Sequence, residues 1–265
     1  MDSYRNAVAR HLKSLGFIND VIYGDSVGST NAVISELSRK GAGEWTVVVA
    51  DSQSEGRGRQ GRIWHSPANT NIYTSFIVRP ALSYEYIPAI SLLAGMVVAL
   101  LVEQCTGVPA EIRWPNDVMV RGKKISGILL EFLNEGHGRN GVVVGIGINV
   151  NADASAYPVE LAATSTSLTL LTGRTFDRAE VLASLYSSFH TWYEVYVGHP
   201  GFDGIREQFM QRFKMNGERI RVMSGAETLT GVVKDVDRYG GLVLRDQGGR
   251  MVAIKSGDVH LLYGN

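Results

Sequence analysis

In the segment Gly56-Arg57-Gly58-Arg59-Gln60-Gly61-Arg62-Ile63-Trp64, residue type and spacing point most directly to chemistry. Its three arginines sit at alternate or near-alternate positions on a glycine-rich backbone, and no acidic side chain lies within the run. Charges so placed repel one another, and each guanidinium is a planar fork that matches carboxylate or phosphate oxygens. One ion pair at 4 Å is worth about 4 kcal/mol at an effective dielectric of 20, more than a surface loop needs to become ordered. The expectation is a segment that is mobile when empty and closes over a small polyanion; the bland alternative is a solvated loop. The same letters contain G-x-G-x-x-G after a strand. That fingerprint requires its last glycine to open a helix that receives pyrophosphate. Here Pro67 follows soon after and no apolar face recurs at helical spacing, so the dinucleotide reading fails.

Three shorter clusters accompany it. In Arg113-Trp114-Pro115-Asn116-Asp117 the proline rigidifies a strand end and aims an Asn–Asp pair that suits ribose, metal or an amine, or else makes a plain turn. In Lys124-Ile125-Ser126-Gly127-Ile128-Leu129-Leu130-Glu131 a lysine precedes an apolar strand whose glycine lets a ligand approach the backbone. Gly145-Ile146-Gly147-Ile148-Asn149 places two glycines in a strand and an amide at its end. The six histidines are scattered without metal-ligand spacing, so no protein metal site is expected. Neither a Gly-x-Ser-x-Gly elbow nor a P-loop is present.

These clusters need a scaffold. Tyr4–Leu15 reads as a helix, Val21–Tyr23 as a strand, and a helix capped by Ser, Thr or Asn starts near Asn31 and runs to Arg39. Thr46–Ala50 is a β-branched run expected to be covered on both faces. The polar stretch Asp51–Asn69 is too long for an ordinary connection. Ile72–Val78, Ile112–Val120, Ile125–Phe132 and Val142–Val150 read as strands, and Tyr86–Gln104 as a buried helix. Asp177 with Glu180 opens a helix to about Val197, and another ends near Lys214. From Asn216 onward, short strands alternate with Gly-rich turns, the pattern of a small SH3-like barrel. Residues 1–215 therefore read as one domain and 216–265 as a second.

Composition sets the limits. The chain has 265 residues, 45% hydrophobic and 20% charged, with 26 basic and 26 acidic side chains that cancel. That excludes wholesale disorder and any global attraction to nucleic acid or anionic membrane. A single cysteine, Cys105, excludes an internal disulfide framework. The longest apolar stretch, Ala89–Val102, is about 14 residues and falls short of the roughly 30 Å hydrocarbon layer, so a core helix and a cytoplasmic protein are expected.

Taken together and in order, these segments resemble the biotin–protein ligases. The matched elements are Ser29-Thr30-Asn31, Gln53 with GRGRQGRIW at 56–64, RWPND at 113–117, KISGILLE at 124–131, GIGIN at 145–149, and a terminal barrel ending SGDVHL at 256–261. The resemblance implies an α+β fold: a mixed β-sheet with flanking helices, like class II aminoacyl-tRNA synthetases and biotin–lipoate ligases, plus the C-terminal SH3-like barrel. It also implies a two-step reaction. Biotin and ATP, with Mg²⁺, give biotinyl-5′-adenylate, and a lysine of a biotin carboxyl carrier protein then takes the biotinyl group. By position, Ser29, Thr30, Asn31 and Gln53 hold the ureido end, while Arg57, Gly58 and Arg59 enclose the carboxylate and later the adenylate. Lys124, beside Gly127, neutralises charge at the reacting oxygens. Arg59, Arg62, Trp64, Asn116 and Asn149 contact the nucleotide, and Asp117 orients or deprotonates the incoming amine.

Two departures from the family pattern are Arg113, where lysine is usual, and Leu262, where some members carry a nucleotide-directed arginine; no C-terminal residue is therefore assigned to ATP. About 20 residues precede the first strand, room for one helix and not for a DNA-reading unit, so a monofunctional ligase without DNA or membrane contact is expected. A homodimer is left open. The competing readings are a lipoate or octanoate ligase or transferase of related fold, a biotin-responsive DNA-binding regulator, and a non-catalytic interaction module carried by the barrel.

Overall fold

A computed structural model of the chain describes residues 3–134, 140–199, 201–224 and 227–262. Helix α1 (Tyr4–Lys13) starts where the Ser3 hydroxyl accepts the Asn6 amide, and it buries Ala7, Val8 and Leu12 on one face. Strand β1 (Asp20–Val27) leads into α2 (Thr30–Arg39) and then β2 (Thr46–Gln53). Beyond a long excursion come β3 (Ile72–Val78) and the core helix α3 (Ile90–Thr106), which ends in a left-handed Gly107. Strands β4 (Glu111–Arg113), β5 (Asp117–Val120), β6 (Lys123–Asn134) and β7 (Asn140–Ile148) follow.

These seven strands form one mixed sheet in the order β1-β2-β3-β7-β6-β5-β4. Only β1 and β2 run parallel, joined across α2, as a parallel pair requires a crossover. The side-chain alternation of a strand decides which helix covers which face. Val47 and Val49 join the large core with α1, α3 and the long helix α6 (Arg178–Gly198), whereas Val48, Ile77 and Val143 meet Ile34 of α2 on the other side. Both faces of β2 are thus buried, as its β-branched run implies.

The expected single strand 112–120 is two strands. Pro115 offers no N–H to a ladder and Asn116 favours a turn, so the chain reverses and Arg113 lies opposite Asp117. The helix expected over Tyr86–Gln104 is α3, shifted towards the C-terminus and preceded by a 3-10 turn over Tyr84–Ala89. With the preceding 3-10 turn, Tyr84–Thr106 spans 23 residues and is long and apolar enough to cross a bilayer, so the argument from length fails. Burial decides instead: 72% of an 18-residue apolar stretch within it is packed inside the protein, against the sheet and α6, and it is a core helix. Two short helices between β7 and α6, α4 (Val159–Ala162) and α5 (Leu168–Thr172), had no counterpart in the sequence reading. They are too short to show a helical period.

Helix α7 (Arg206–Arg212) leads to an antiparallel five-stranded sheet built from β8 (Arg219–Ser224), β9 (Glu227–Val236), β10 (Leu242–Asp246), β11 (Met251–Ile254) and β12 (Asp258–Leu261), in the order β11-β10-β9-β8-β12. It docks on the larger unit through Trp114, whose indole N–H donates to the Gly240 carbonyl at 2.9 Å and whose backbone N–H points at the Met215 sulfur. Gly240 has φ +82°, and a β-carbon there would press on Ala89. Trp114→Phe removes the donor and leaves the buried carbonyl unpaired. The expected cost is about 1–3 kcal/mol, read as a lower urea midpoint at unchanged slope.

Candidate active site

The site is built where the sheet lacks side chains. Gly127 of β6 pairs with Gly147 of β7, and Gly145 lies one alternation further along. A β-carbon at Gly147 would overlap the Trp64 indole, and one at Gly145 would overlap the Asn31 amide. The three glycines therefore open a trough that Trp64 and Asn31 enter from above.

At one end of the trough the lining side chains are uncharged and tightly hydrogen-bonded. Thr30 donates its backbone N–H (2.8 Å) and hydroxyl (3.2 Å) to Gln53 Oε1, and Gln53 Nε2 donates to the Ser66 hydroxyl at 2.9 Å. The Ser75 hydroxyl lies 2.7 Å from Thr30 Oγ1 and 2.6 Å from Asn31 Oδ1. Asn31 Nδ2 donates to Glu131 at 2.6 Å. Ser29 occupies the N-cap position of α2 but its side chain makes no capping bond, so its hydroxyl is left for the trough.

The arginine segment forms an irregular hairpin over the other end. Trp64 N–H donates to the Gly56 carbonyl (2.8 Å) and Gly58 N–H to the Arg62 carbonyl (2.7 Å), with Gln60 and Gly61 in left-handed conformations at the tip. The sequence reading found no acid to neutralise these charges, and the structure supplies one from the barrel. Arg62 Nη2 lies 2.5 Å from Asp258 Oδ2, and Arg59 Nη1 donates to the neighbouring Gly257 carbonyl at 3.3 Å. Arg57 is less closely paired, with Glu55 3.8 Å away. Burial lowers the Arg59 pKa, and Asp258 and Asp117 oppose that shift. A partly desolvated guanidinium interacts more strongly with an anion than one in bulk water.

Between the two ends stands Lys124, with Nζ 2.6 Å from Asp117 Oδ1 and 5.4 Å from the Trp64 ring centroid. That Asp117 oxygen is buried and accepts no bond of hydrogen-bond geometry, so the contact is an ion pair without directional support. The buried Trp64 Nε1 likewise has no partner. Asn116 Nδ2 donates to the Ile128 carbonyl (2.9 Å) and Asn149 Nδ2 to the Thr166 carbonyl (3.0 Å), so both amide nitrogens are committed to the walls. One wall is the segment missed in sequence: Lys124 exchanges backbone bonds with Thr164 and Thr166, which adds Tyr157, Leu161, Thr164 and Ser165 to the lining.

The resulting cleft has a volume of about 390 Å³. Ser29, Thr30, Asn31, Gln53, Arg57, Gly58, Arg59, Arg62, Trp64, Asn116, Asp117, Lys124, Gly127 and Asn149 all line it. So do His65, Tyr73, Arg113, Met119 and Asp258, to which the sequence reading gave no role. Asp258 could have been sought as the missing counter-charge; an isolated Tyr or Met carried no signal. Among the described residues no group of three or more His, Cys, Asp or Glu is placed to hold a metal ion.

Residues 23–149 match the Biotin/lipoate A/B protein ligase family, and residues 217–262 match the Biotin protein ligase C terminal domain. The bifunctional ligase/repressor BirA of Bacillus subtilis is 36% identical over 91% of this chain and 74% of its own length. A biotin–[acetyl-CoA-carboxylase] ligase of Paracoccus denitrificans is 35% identical over 84% of this chain and 93% of its own. The structure of biotin protein ligase from Aquifex aeolicus in complex with biotin and ATP superposes with a TM-score of 0.80 at 29% identity, covering 93% of this chain and all of that one. The first match alone covers lipoate ligases too, and the C-terminal domain resolves that choice. A glycine trough, a neutral hydrogen-bonding end and an arginine hairpin are thus joined to the barrel that marks one branch, and the chain belongs to the biotin protein ligase family.

Proposed function

We propose that this protein joins biotin to a lysine of a biotin carboxyl carrier protein, using MgATP and passing through biotinyl-5′-adenylate. The observation that carries the reading is the division of one cleft into an uncharged hydrogen-bonding end and a cationic end, with Lys124 between them. A urea presents N–H donors and a carbonyl acceptor, and the Thr30, Asn31, Gln53 and Ser29 side chains that line this end are themselves uncharged, with the Glu131 carboxylate bonded to Asn31. A carboxylate at the other end of the same ligand then lies near Lys124, Arg57 and Arg59.

In the first step a biotin carboxylate oxygen attacks the α-phosphorus of ATP, the α–β phosphoanhydride bond breaks, and pyrophosphate leaves with the electron pair. Two anions must meet, so the barrier is largely electrostatic, and cations fixed beforehand lower it most. Lys124 is held by Asp117 at 2.6 Å and can turn its charge on the reacting oxygens. The arginine hairpin covers the cleft and excludes water from the mixed anhydride. Trp64 and the 157–165 wall offer the nucleotide apolar surface beside Asn116 and Asn149. Magnesium would arrive with the triphosphate and need no protein cage; Asp117 and Asp258 are the carboxylates at the cleft that would be available to it. It neutralises phosphate charge as part of the substrate. In the second step the lysine amine attacks the acyl carbon and AMP departs. Asp117 receives or orients the ammonium proton, because an unperturbed lysine pKa of about 10.4 leaves little free amine at neutral pH.

Helix α1 uses Ala7, Val8 and Leu12 on the catalytic core, and the reading assigns it no contact with DNA.

The test is isotope exchange between labelled pyrophosphate and MgATP. Biotin should stimulate the exchange and lipoate should not; exchange indifferent to biotin would overturn the proposal. Lys124→Gln should lower the biotin-stimulated rate about 10²- to 10³-fold while leaving the unfolding free energy from urea denaturation within about 1 kcal/mol of the parent. Asp258→Ala removes the hairpin's counter-ion at an exposed pair, so stability should change by less than about 1 kcal/mol. Trypsin should then cut after Arg59 and Arg62 several-fold faster in the ligand-free protein; equal cutting would show that the pair does not restrain the hairpin.

A further inference from the structure

The arginine hairpin leaves β2 after Gln53 and rejoins the sheet at Ile72, and both of its roots meet one buried guanidinium outside the cleft. Arg178, the first residue of α6, is 8% exposed. Its Nη1 donates to Asp51 Oδ1 near the end of β2 at 2.7 Å and to the carbonyl of Asn71, just before β3, at 3.0 Å. The Asp51 carboxylate also accepts the backbone N–H of Asn69, at 3.2 and 3.1 Å from its two oxygens. Asn69 bends the returning limb with φ +64°, a conformation asparagine tolerates better than most residues. The Tyr4 ring of α1 covers the guanidinium at 3.8 Å and meets Tyr23 edge-on. One side chain therefore ties the outgoing and the returning strand ends together, shielded from water.

Stability is a poor reason for such an arrangement. A buried ion pair commonly returns no more than its desolvation penalty, and apolar residues of similar volume often serve the core as well or better. Geometry is a better one. The hairpin tip, seven residues beyond Gln53, lies at most about 25 Å from its root, so a tilt of about 5° at the root displaces the tip by up to about 2 Å. A misplacement of about 1 Å at a reacting group can cost a hundredfold in rate. We infer that Arg178 is a positioning residue for the hairpin: through Asp51, Asn69 and Asn71 it sets the angle at which Arg57, Arg59 and Arg62 descend on the acyl-adenylate. The inference rests on the ligase reading for what the hairpin covers, and on the hydrogen bonds alone for the clamp.

Two variants separate position from stability. Arg178→Lys keeps the charge but loses the rigid fork. The double variant Asp51→Leu with Arg178→Met keeps an apolar core and cannot tie the roots. Both are compared with the parent by urea denaturation, by trypsin cutting at Arg57, Arg59 and Arg62 in the ligand-free protein, and by the rate at which purified enzyme loses preformed biotinyl-adenylate without acceptor. The double variant should stay cooperatively folded, with the Asn71 carbonyl left without its donor, yet be cut several-fold faster and lose adenylate at least about tenfold faster. Arg178→Lys should fall between. Parent-like cutting and retention in a folded double variant would overturn the inference, and so would failure of both variants to fold, which would make the pair a purely structural element. Absence of adenylate from the parent would instead overturn the ligase reading, while the trypsin comparison would still decide the clamp.

Discussion

Concentrated positive charge with nothing to oppose it is the constraint around which this structure is arranged. Three arginines on one hairpin repel whenever the cleft holds no anion, and an anion-binding site is by definition empty part of the time. The protein answers with counter-ions that are present but replaceable. Asp258 faces Arg62 from another domain, Glu55 stands near Arg57, and Asp117 occupies Lys124. The Arg57 and Arg62 side chains are more than half exposed, so these pairs contribute little to stability and are cheap to exchange for substrate oxygens. The ion pair between Arg178 and Asp51 is the opposite kind: nearly dry on both sides, costly to open, and placed where a hinge must not drift.

The same division explains the two ends of the cleft. The neutral end is crowded with hydrogen bonds that run from Glu131 through Asn31, Ser75 and Thr30 to Gln53 and on to Ser66, whose hydroxyl also donates to the Trp64 carbonyl in the hairpin. Such a chain fixes side-chain orientations before any ligand arrives, which suits recognition of an uncharged ring. The cationic end is held more loosely, through side chains long enough to swing. A tightly bonded neutral end and a loosely paired cationic end are different demands on one backbone. The glycines at 127, 145 and 147 allow both to share the same trough, because nothing from the sheet rises between them.

How much of this could be read from the chain depends on whether the information is local. The β-branched run Thr46–Ala50, the apolar helix and the arginine hairpin announce themselves within a few residues, and the pieces of the cleft stood out because glycine, asparagine and proline are unusual inside apolar strands. The reversal at Pro115 was misread as one strand because its apolar flanks are continuous in sequence on either side. Residues 151–176 gave no period because their helices are four and five residues long and work as a wall, bonded to Lys124 through backbone groups that any sequence could supply. Asp258 and Arg178 lie far along the chain from the hairpin they restrain, and charge complementarity over such distances leaves no pattern in the letters.

The barrel illustrates where that non-local information ends up. It reads as a self-contained module of short strands, yet its strand β12 begins with the carboxylate that pairs with Arg62. For that contact to form, the barrel must be docked in a defined orientation, and the docking runs through Trp114 and Gly240, a buried aromatic donor on the carbonyl of a glycine whose added β-carbon would press on Ala89. Trp114 itself sits beside the Pro115 turn that aims Asn116 and Asp117 at the cleft. One short segment therefore does two jobs: its tryptophan fixes the second domain and its carboxylate holds the lysine. The placement of the hairpin's outer counter-ion and of Lys124's partner Asp117 thus depends on the same reversal of chain, so the two ion pairs of the cleft are registered to each other by a single turn.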